Sequence, residues 1–420
     1  MIDIMSFKNI QHQPSEASSD EFNLKTGLEH DYACFAIWNG ALYRQDEIVN
    51  DILSEFELLA DFEINWSEQH YQNNIDRLYE RPMREVSSAG WDSKVGPPPF
   101  RFLIVRDAQP NYTWKRSVSG VVEPSNERVV AAKYRYRALF TSKYQVHSSN
   151  NIEEFLFQTV LVLGAFRLRS VLEGVNPIKE VLHKDLEGAD GWENWEELFE
   201  VLNIGSRYLV QRNYEGLPDQ LLDRDIDFLC DNHQRLASLC GMKQKAGQTY
   251  KGSIKVSGAE VSVDVRFIGD RYYPAAWQED MLRRRQLHEG FYIPAQDDLF
   301  FSLLFHCKAQ KRQVKPKYAK SLPILAEQLR FDWFSGTDLG DDTECGHILS
   351  GYFRARRYYY EEPLDAGVQQ NQAVTSMLPT APGGVNRSTR PRTFSARLRR
   401  VAKNLRKIRE KLVKKMKRHS

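Results

Sequence analysis

The stretch "GLPDQLLDRDIDFLCD" (residues 216–231) places Asp225 and Asp227 at the front of an apolar run that predicts a buried strand. Side chains two residues apart on a strand project to the same side, so these two carboxylates should stand together. Like charges at such a distance repel each other unless a cation lies between them, and the usual cations are Mg²⁺, Lys and Arg. The pair therefore indicates a cation site at the mouth of a strand.

A third carboxylate lies on a second predicted strand, "EVSVDVRFIG" (260–269). Its apolar residues alternate with polar ones, which is typical of a strand with one buried face. Asp264 falls on the polar face together with Ser262 and Arg266. If the two strands are neighbours in one sheet, the three aspartates meet. The alternative is a set of solvated acids at the edge of a sheet.

A glycine in a turn, an Asp-x-Asp strand and a third aspartate on a later strand together resemble the nucleotidyltransferase fold of the DNA polymerase β-like superfamily. The resemblance implies two Mg²⁺ ions that stabilise the attacking and leaving oxygens of a phosphate. Asp225 and Asp227 would bind both ions, and Asp264 would hold the catalytic one and orient the attacking hydroxyl. Gly216 takes the place of the family's glycine, although Leu217 replaces the serine or glycine that usually follows it.

Basic residues near these aspartates, Arg212 and Arg266 in particular, are candidates for contacts with nucleotide phosphates. Arginine recognises phosphate by paired hydrogen bonds, which makes it suited to this role. Surface arginines are common, so each of them also has a structural explanation.

The first part of the chain resembles nucleoside diphosphate kinases over about 130 residues, through four segments: "FAIWNGALYR", "EQHYQNNIDRLYERP", "RSVSGVVEP" and "QVHSSNNIEEF". The resemblance implies a ferredoxin-like domain, with His147 as phosphate acceptor. Phosphate neighbours would be Tyr71, Arg116 and Lys133.

The chain departs from the kinase pattern where that pattern needs charge and hydrogen-bond donors. The family's lysine, threonine and asparagine fall on Trp38, Val122 and Tyr144. Losing such groups slows a charge-stabilised transfer by orders of magnitude, so the expectation is a related fold. The alternative for His147 is a hydrogen-bonded cap beside the turn at 148–151.

Length and pattern predict an α/β (α+β) protein of several parts. A disordered leader (1–30) without the features of a signal peptide precedes a kinase-like domain (31–165) and a nucleotidyltransferase-like domain with a helical extension (166–360). A flexible linker (361–393) and a basic amphipathic helix (394–420) follow. Five scattered cysteines without a CxxC pair favour a reducing compartment.

The tail carries most of the positive charge: residues 389–420 hold fourteen Lys or Arg and one acid, Glu410, whereas the whole chain has a net charge of +2. Apolar residues recur every three or four positions from Phe394 to Met416, as in a helix that lies on an anionic membrane surface. A partner helix and a nucleic-acid arm are alternatives, but a nucleic-acid arm gains nothing from an apolar stripe.

These observations together predict a Mg²⁺-dependent nucleotidyl- or phosphotransferase that acts on a nucleotide or sugar-nucleotide. The predicted location is cytoplasmic, peripheral to the inner membrane. The segment 264–294 has a vague likeness to proteins encoded with bacterial surface-glycan assembly enzymes, which favours a glycan or polyol-phosphate acceptor. The alternatives are a catalytically inactive, nucleotide-binding scaffold at the membrane and a nucleic-acid-modifying transferase.

Overall fold

A computed structural model describes residues 31–80, 92–116, 122–245, 248, 250–311 and 313–381. The predicted leader (1–30), the end of the predicted linker (382–393) and the predicted basic helix (394–420) lie outside these residues. The described chain up to Pro379 belongs to one compact unit.

The first half of the described chain builds a five-stranded sheet and its covering helices. In chain order the elements are β1 (Asp31–Ile37), α1 (Gln45–Glu55), β2 (Glu57–Ile64), α2 (Tyr71–Leu78), α3 (Asp92–Val95), β3 (Phe100–Asp107), β4 (Tyr112–Arg116), β5 (Val122–Asn126), α4 (Glu127–Ala138), β6 (Val146–Ser148), α5 (Ile152–Leu163), α6 (Ala165–Glu173) and β7 (Ile178–Leu182).

The strand order in this first sheet is β6-β1-β3-β2-β7. β3 runs antiparallel to both β1 and β2, β6 runs antiparallel to β1, and β7 runs parallel to β2. β4 and β5 form a separate hairpin. One face of the sheet packs on α1 and α4 through residues such as Phe35, Ile52 and Val129.

The second half builds another sheet and a group of helices. Its elements are α7 (Trp195–Gly205), β8 (Tyr208–Val210), β9 (Asp225–Cys230), α8 (His233–Cys240), β10 (Lys243–Gln244), β11 (Lys251–Val256), β12 (Ala259–Phe267), α9 (Ala275–Arg283), β13 (Gln286–His288), β14 (Phe291–Ile293), α10 (Gln296–Lys308), α11 (Pro316–Gln328), α12 (Asp342–Arg356) and α13 (Gln372–Thr375).

The second sheet has the order β10-β11-β12-β9-β8. β9 and β12 are parallel neighbours, and the other pairings are antiparallel. Because β9 and α8 are joined by only two residues, Asn232 both ends the turn and caps the helix: its side chain accepts from the backbone N–H groups of Gln234 and Arg235. Gly241 closes the helix in the left-handed conformation, at φ +64°.

One large hydrophobic core joins the two sheets. It contains Phe62 and Phe102 of the first sheet, Phe228 and Val265 of the second, and Phe157 of α5. The predicted boundary at 165/166 therefore falls inside one compact unit. The chain is a mixed α/β protein, as the sequence predicts.

A second core is built mainly by the helices after β12, around Trp277, Phe301 and Tyr352. Part of the segment 361–379, predicted as the beginning of a flexible linker, packs against it. Val374 and Leu378 are buried, and the backbone N–H of Asn371 donates to the carbonyl of Ala309 at 2.8 Å. The linker prediction is wrong for this segment, because a few well-placed apolar residues are enough to dock a short helix.

No single helix in the described part of the chain is long and apolar enough to cross a membrane. α5 and α6 together reach the required length and composition, but they are bent by 118° relative to each other.

Candidate functional site

The three aspartates predicted from sequence lie on one face of the second sheet. Asp227 of β9 and Asp264 of β12 are direct partners in the parallel register, and Asp225 stands opposite Ser262. Since Asp225 and Asp227 are two residues apart, their side chains project to the same side as that of Asp264. All three line a cavity of about 680 Å³.

The other walls of this cavity come from distant parts of the chain. The end of β8 contributes Arg212, the helical region contributes Tyr272, His306 and Tyr318, and a loop at 364–368 closes one side. The cavity thus lies between the polar face of the sheet and the helices that follow it.

Two of the aspartates are paired with arginine. Arg212 Nε lies 3.0 Å from Asp227 Oδ2, and Arg266 Nε lies 3.0 Å from Asp264 Oδ1. Arg266 also lies 3.0 Å from Oδ2 of Asp365, in the loop that closes the cavity. The cation that the sequence requires between these carboxylates is therefore supplied, in this conformation, by the protein itself.

The carboxylates keep unused capacity for a ligand. Burial raises the pKa of Asp225, and the charge of Asp227 raises it further. No hydrogen-bond or ion-pair partner of the Asp225 side chain is found within the described ranges. Asp264 Oδ1 is buried and, despite its short distance to Arg266, has no well-aligned hydrogen bond. Burial also raises the pKa of Asp227, although Arg212 opposes that effect.

A neutral histidine forms part of the cavity wall. His306 Nδ1 lies 3.0 Å from the hydroxyl of Tyr272 and 3.3 Å from Gln310 Oε1. Gln310 Nε2 in turn donates to the carbonyl of Tyr272 at 2.6 Å. Burial, together with nearby cations such as Arg212, holds the pKa of His306 well below its usual value. This part of the wall therefore carries no charge at neutral pH.

Three exposed lysines of the cavity lining provide positive charge that is not held in an ion pair. Lys251, Lys311 and Lys315 line the cavity and are exposed, and the described parts of the chain show no ion-pair partner for them. The cavity is lined by five acids and five Lys or Arg: Asp223, Asp225, Asp227, Asp264 and Asp365 against Arg212, Lys251, Arg266, Lys311 and Lys315. Asp225, Asp227 and Asp264 form the floor of the cavity, on the sheet, whereas Asp365 lies in the loop that closes one side. The three lysines are the exposed cations of the lining, and Lys251 lies on β11, in register with Asp264.

As described, the site does not form a ready metal centre. No group of three or more His, Cys, Asp or Glu side chains in the described residues is arranged to hold a metal ion. The donor chemistry nevertheless suits Mg²⁺, which prefers carboxylate oxygens. Asp225 and Asp264 Oδ1 have free capacity, and Asp227 would become available if Arg212 moved away.

Gly216 is not among the residues that line the cavity. It lies in the loop between β8 and β9, where a Cβ atom would come within 2.5 Å of the carbonyl oxygen of Gln220. The structure explains this glycine by the close approach of the backbone. The end of β8, with Gln211 and Arg212, lies beside the first aspartate pair instead.

His147, predicted as a phosphate acceptor, lies on β6 and is only 6% exposed. Its Nε2 lies 3.0 Å from Oε1 and 2.8 Å from Nε2 of Gln158. Burial, and then the charges of Lys133 and Arg137, lower the pKa of His147 to about 3. Phosphoryl transfer to Nε2 would first require the contact with Gln158 to break.

Two of the predicted phosphate neighbours of His147, Lys133 and Tyr71, are engaged in other contacts. Lys133 is buried, which lowers its pKa to about 8, and its ammonium group donates to Ser148 O at 3.1 Å and to Asn150 Oδ1 at 2.5 Å. The hydroxyl of Tyr71 donates to the carbonyl of Gly96. Arg116 ends β4, opposite Val122. His147 and Lys133 are thus brought close together, in a buried polar network.

Sequence reasoning missed the residues that complete the cavity from afar, namely Tyr272, Gln310, Tyr318 and Asp365. Of these four residues, only Tyr272 lies close in sequence to a predicted site residue, because it follows β12, the strand with Asp264. Asp365 lies 99 residues beyond its partner Arg266, and no spacing rule connects the two.

Comparison of the chain with models of protein families and with curated proteins finds no match. The site therefore has to be interpreted from its own geometry.

Proposed function

We propose that the cavity on the second sheet is the active site of a Mg²⁺-dependent nucleotidyl- or phosphotransferase that acts on a nucleotide or sugar-nucleotide. The observation that carries the proposal is the register of β9 and β12, which sets Asp227 beside Asp264 with Asp225 on the same face of one cavity. Carboxylates that converge in this way supply the hard oxygen ligands that Mg²⁺ needs when it binds a reacting phosphate.

The basic and acidic residues of the cavity have different roles in this proposal. Lys251, Lys311 and Lys315 draw the phosphates into the cavity, because unpaired cations at a mouth raise the local concentration of an anion. Asp225, Asp227 and Asp264 would hold Mg²⁺, which, when bound, neutralises charge on the reacting phosphate. The aromatic and neutral wall at Tyr272 and His306 limits access of water to the floor.

The topology supports the finer fold assignments as proposals. In the second sheet, an Asp-x-Asp strand lies parallel to the strand with the third aspartate, as a nucleotidyltransferase-like domain requires. In the first, the order β6-β1-β3-β2 with β3 antiparallel to both neighbours is that of a ferredoxin-like βαββαβ unit, extended by β7 and the β4–β5 hairpin.

The proposed setting is the cytoplasmic face of the inner membrane, with a glycan or polyol phosphate as acceptor. It is supported by the sequence of residues 394–420, in which basic residues surround an apolar stripe. Co-sedimentation of the whole protein with anionic vesicles, but not with neutral ones, is the expected result. Steeply salt-dependent retention on nucleic acid without vesicle binding would instead select the nucleic-acid alternative.

The decisive experiment compares Asp227→Asn with Asp219→Asn. Both changes neutralise an aspartate of the same β8–β9 region, but Asp219 is exposed and does not line the cavity. Purified proteins are incubated with Mg²⁺ and a mixture of nucleotides and sugar-nucleotides, and turnover is followed by chromatography. We expect turnover by the wild-type protein and Asp219→Asn, and a loss of at least 100-fold in Asp227→Asn. Equal turnover in both variants would refute the aspartate site.

A second candidate function is nucleotide binding without catalysis, in a scaffold. The two arginine–aspartate pairs favour it, because they neutralise the floor of the cavity without a metal. Binding of a nucleotide that is unaffected by chelation of Mg²⁺, with no turnover by the wild-type protein, would select this function.

A further inference from the structure

The two arginines on the floor of the cavity differ in how firmly they are held. Arg266 makes ion pairs with both Asp264 and Asp365. Its guanidinium carbon also lies 4.2 Å from the ring centre of Tyr272 and 5.2 Å from that of Tyr250. Moving this side chain would break four favourable contacts at once.

Arg212 has a single ion pair within the described chain, the one with Asp227. The backbone next to it is fixed: Gln211 N donates to Asp227 O at 2.8 Å, its Nε2 donates to Phe228 O at 2.9 Å, and its Oε1 accepts from Tyr273 at 3.2 Å. With the backbone held in this way, a change of partner at this place involves the Arg212 side chain alone, which lines the cavity and is 10% exposed.

We infer that Arg212 is an exchangeable countercation, which neutralises Asp227 in the empty site and passes to a phosphate of the ligand when Mg²⁺ takes its place. Arg266 stays in place and connects the sheet to the loop at 364–368. The inference rests on the proposed function and assigns a specific role within it. Arg212 is, in this role, a residue that couples the binding of metal to the binding of phosphate.

The charges explain why this exchange couples the two ligands. Mg²⁺ alone must separate Arg212 from its ion-pair partner Asp227 and compete with it for the neighbouring carboxylates, at a position where burial makes an unpaired charge costly. A phosphate supplied together with Mg²⁺ gives Arg212 a new partner. Each ligand should therefore strengthen the binding of the other by the same factor, as thermodynamic linkage requires.

The test uses the full-length protein, with Mg²⁺ and inorganic pyrophosphate as probes in titration calorimetry. We expect pyrophosphate to increase the affinity for Mg²⁺ at least tenfold in the wild-type protein. In Arg212→Met, Mg²⁺ alone should bind about tenfold more tightly than in the wild type, pyrophosphate should bind more weakly, and the coupling should fall to less than threefold.

Arg224→Met is the matched control, because Arg224 lies in the same loop, is exposed and does not line the cavity. It should behave as the wild type. If Arg212→Met does not fold, Arg212→Lys replaces it: the ammonium group keeps a charge beside Asp227 but cannot form a bidentate contact with phosphate. The coupling should then fall severalfold.

Two outcomes would overturn the inference, and they are distinguishable. Wild-type coupling that persists in the Arg212 variants refutes the role of Arg212 and leaves the proposed function intact. A wild-type protein that binds neither Mg²⁺ nor pyrophosphate refutes both the inference and the proposed function.

Discussion

Asp227 and Asp298 show how two buried aspartates come to serve different purposes. Asp227 faces a cavity and has one arginine. Asp298 is fully buried in the helical core and accepts from Trp277 at 3.0 Å, Arg284 at 2.6 Å and Tyr352 at 3.2 Å. A carboxylate that is saturated by protein donors has no capacity for a ligand, so Asp298 stabilises the fold.

Replacement of Asp298 should destabilise the protein strongly. Asp298→Ala leaves the buried guanidinium of Arg284 without its main partner, and breaking a buried ion pair costs about 3–5 kcal/mol. Urea unfolding measures the change. The exposed Glu327→Ala on α11 should alter the free energy of unfolding by less than about 0.5 kcal/mol. A loss below about 1 kcal/mol in Asp298→Ala would contradict the role described for this residue.

Burial of His147 should make the free energy of unfolding depend on pH. Its pKa is about 3 in the folded protein, mainly because of burial, and about 6.5 in the unfolded chain. Since the folded value is the lower one, protons bind preferentially to the unfolded chain between these values. The free energy of unfolding should fall as the pH drops from about 6.5 towards 3, by about 1.4 kcal/mol for each pH unit at most.

Urea titrations over that pH range check this expectation. His147→Gln should flatten the dependence, whereas the exposed His347→Gln should leave it as in the wild type. An unchanged pH dependence in His147→Gln would show that other groups are responsible.

At the level of single residues, the sequence predicted the aspartates on the floor of the cavity but not the residues of its other walls. Alternation along a strand places Asp225, Asp227 and Asp264 without knowledge of the tertiary fold. The other walls, to which His306 belongs, depend on how helices far apart in the chain pack together. Gly216 lies outside the cavity lining, and a single sequence cannot distinguish a glycine needed for tight packing from one needed by a ligand.

Among the secondary-structure elements, the end of α8 offers a test of local conformation. Gly241 has φ +64°, and a Cβ atom there would lie 3.1 Å from the carbonyl oxygen of Gly188. Gly258 also has a positive φ, of +79°, but its Cβ would meet no atom within 4 Å. An alanine would therefore have to adopt the left-handed conformation at either position, but its Cβ atom would contact a neighbouring backbone atom only at position 241.

Both alanine variants should be destabilised by about 1–2 kcal/mol through the backbone alone. Gly241→Ala should lose more than Gly258→Ala, because only there must a neighbouring carbonyl also move. Thermal unfolding of the two variants side by side measures the difference. Equal losses would mean that the neighbourhood of Gly241 adapts without cost.

The elements themselves were well predicted where the pattern is regular. β9 and β12 lie close to their predicted positions, because the alternation of apolar and polar residues along a strand is a local property. Helix starts are less regular: α2 begins at Tyr71, and Ser67, four residues earlier, accepts a hydrogen bond at Oγ from the N–H of His70. A serine can close a turn before a helix as readily as it can cap one.

At the scale of the whole molecule, Arg77 connects α2, in the first half of the chain, to α8, in the second half. It is fully buried on α2 and donates to the carbonyls of Ser238 at 2.8 Å, Leu239 at 3.1 Å and Glu187 at 2.7 Å. Two of these carbonyls belong to the last turn of α8, where a positive charge also suits the helix dipole. The contact ties the first half of the chain to the second.

Removal of this link should weaken the molecule as a whole. Arg77→Met should cost about 3 kcal/mol or more, since hydrogen bonds to a charged group contribute about 1.5–3 kcal/mol each. Hydrogen exchange followed in urea should show both sheets of the wild-type protein opening together. Separate transitions for the two sheets in the wild type would contradict a single cooperative unit. The exposed Arg354→Met on α12 serves as control.

The overall organisation was the hardest feature to predict. The segment before residue 381 has the polar composition of a flexible linker, although Val374 and Leu378 are buried. Two apolar side chains hardly change the mean hydropathy of a long segment, so composition alone did not indicate that it packs. The joint core was also hidden, because a sequence shows that a strand is buried but not what covers it.

The loop at 364–368 closes the cavity from the far end of the polypeptide, and Asp365 secures it to Arg266. During synthesis, all three aspartates leave the ribosome well before this loop does, Asp264 by 100 residues (364 − 264). A nascent chain or one truncated before residue 364 thus has the acidic floor but lacks one wall of the pocket. Translation has to pass this point before a finished pocket can exist.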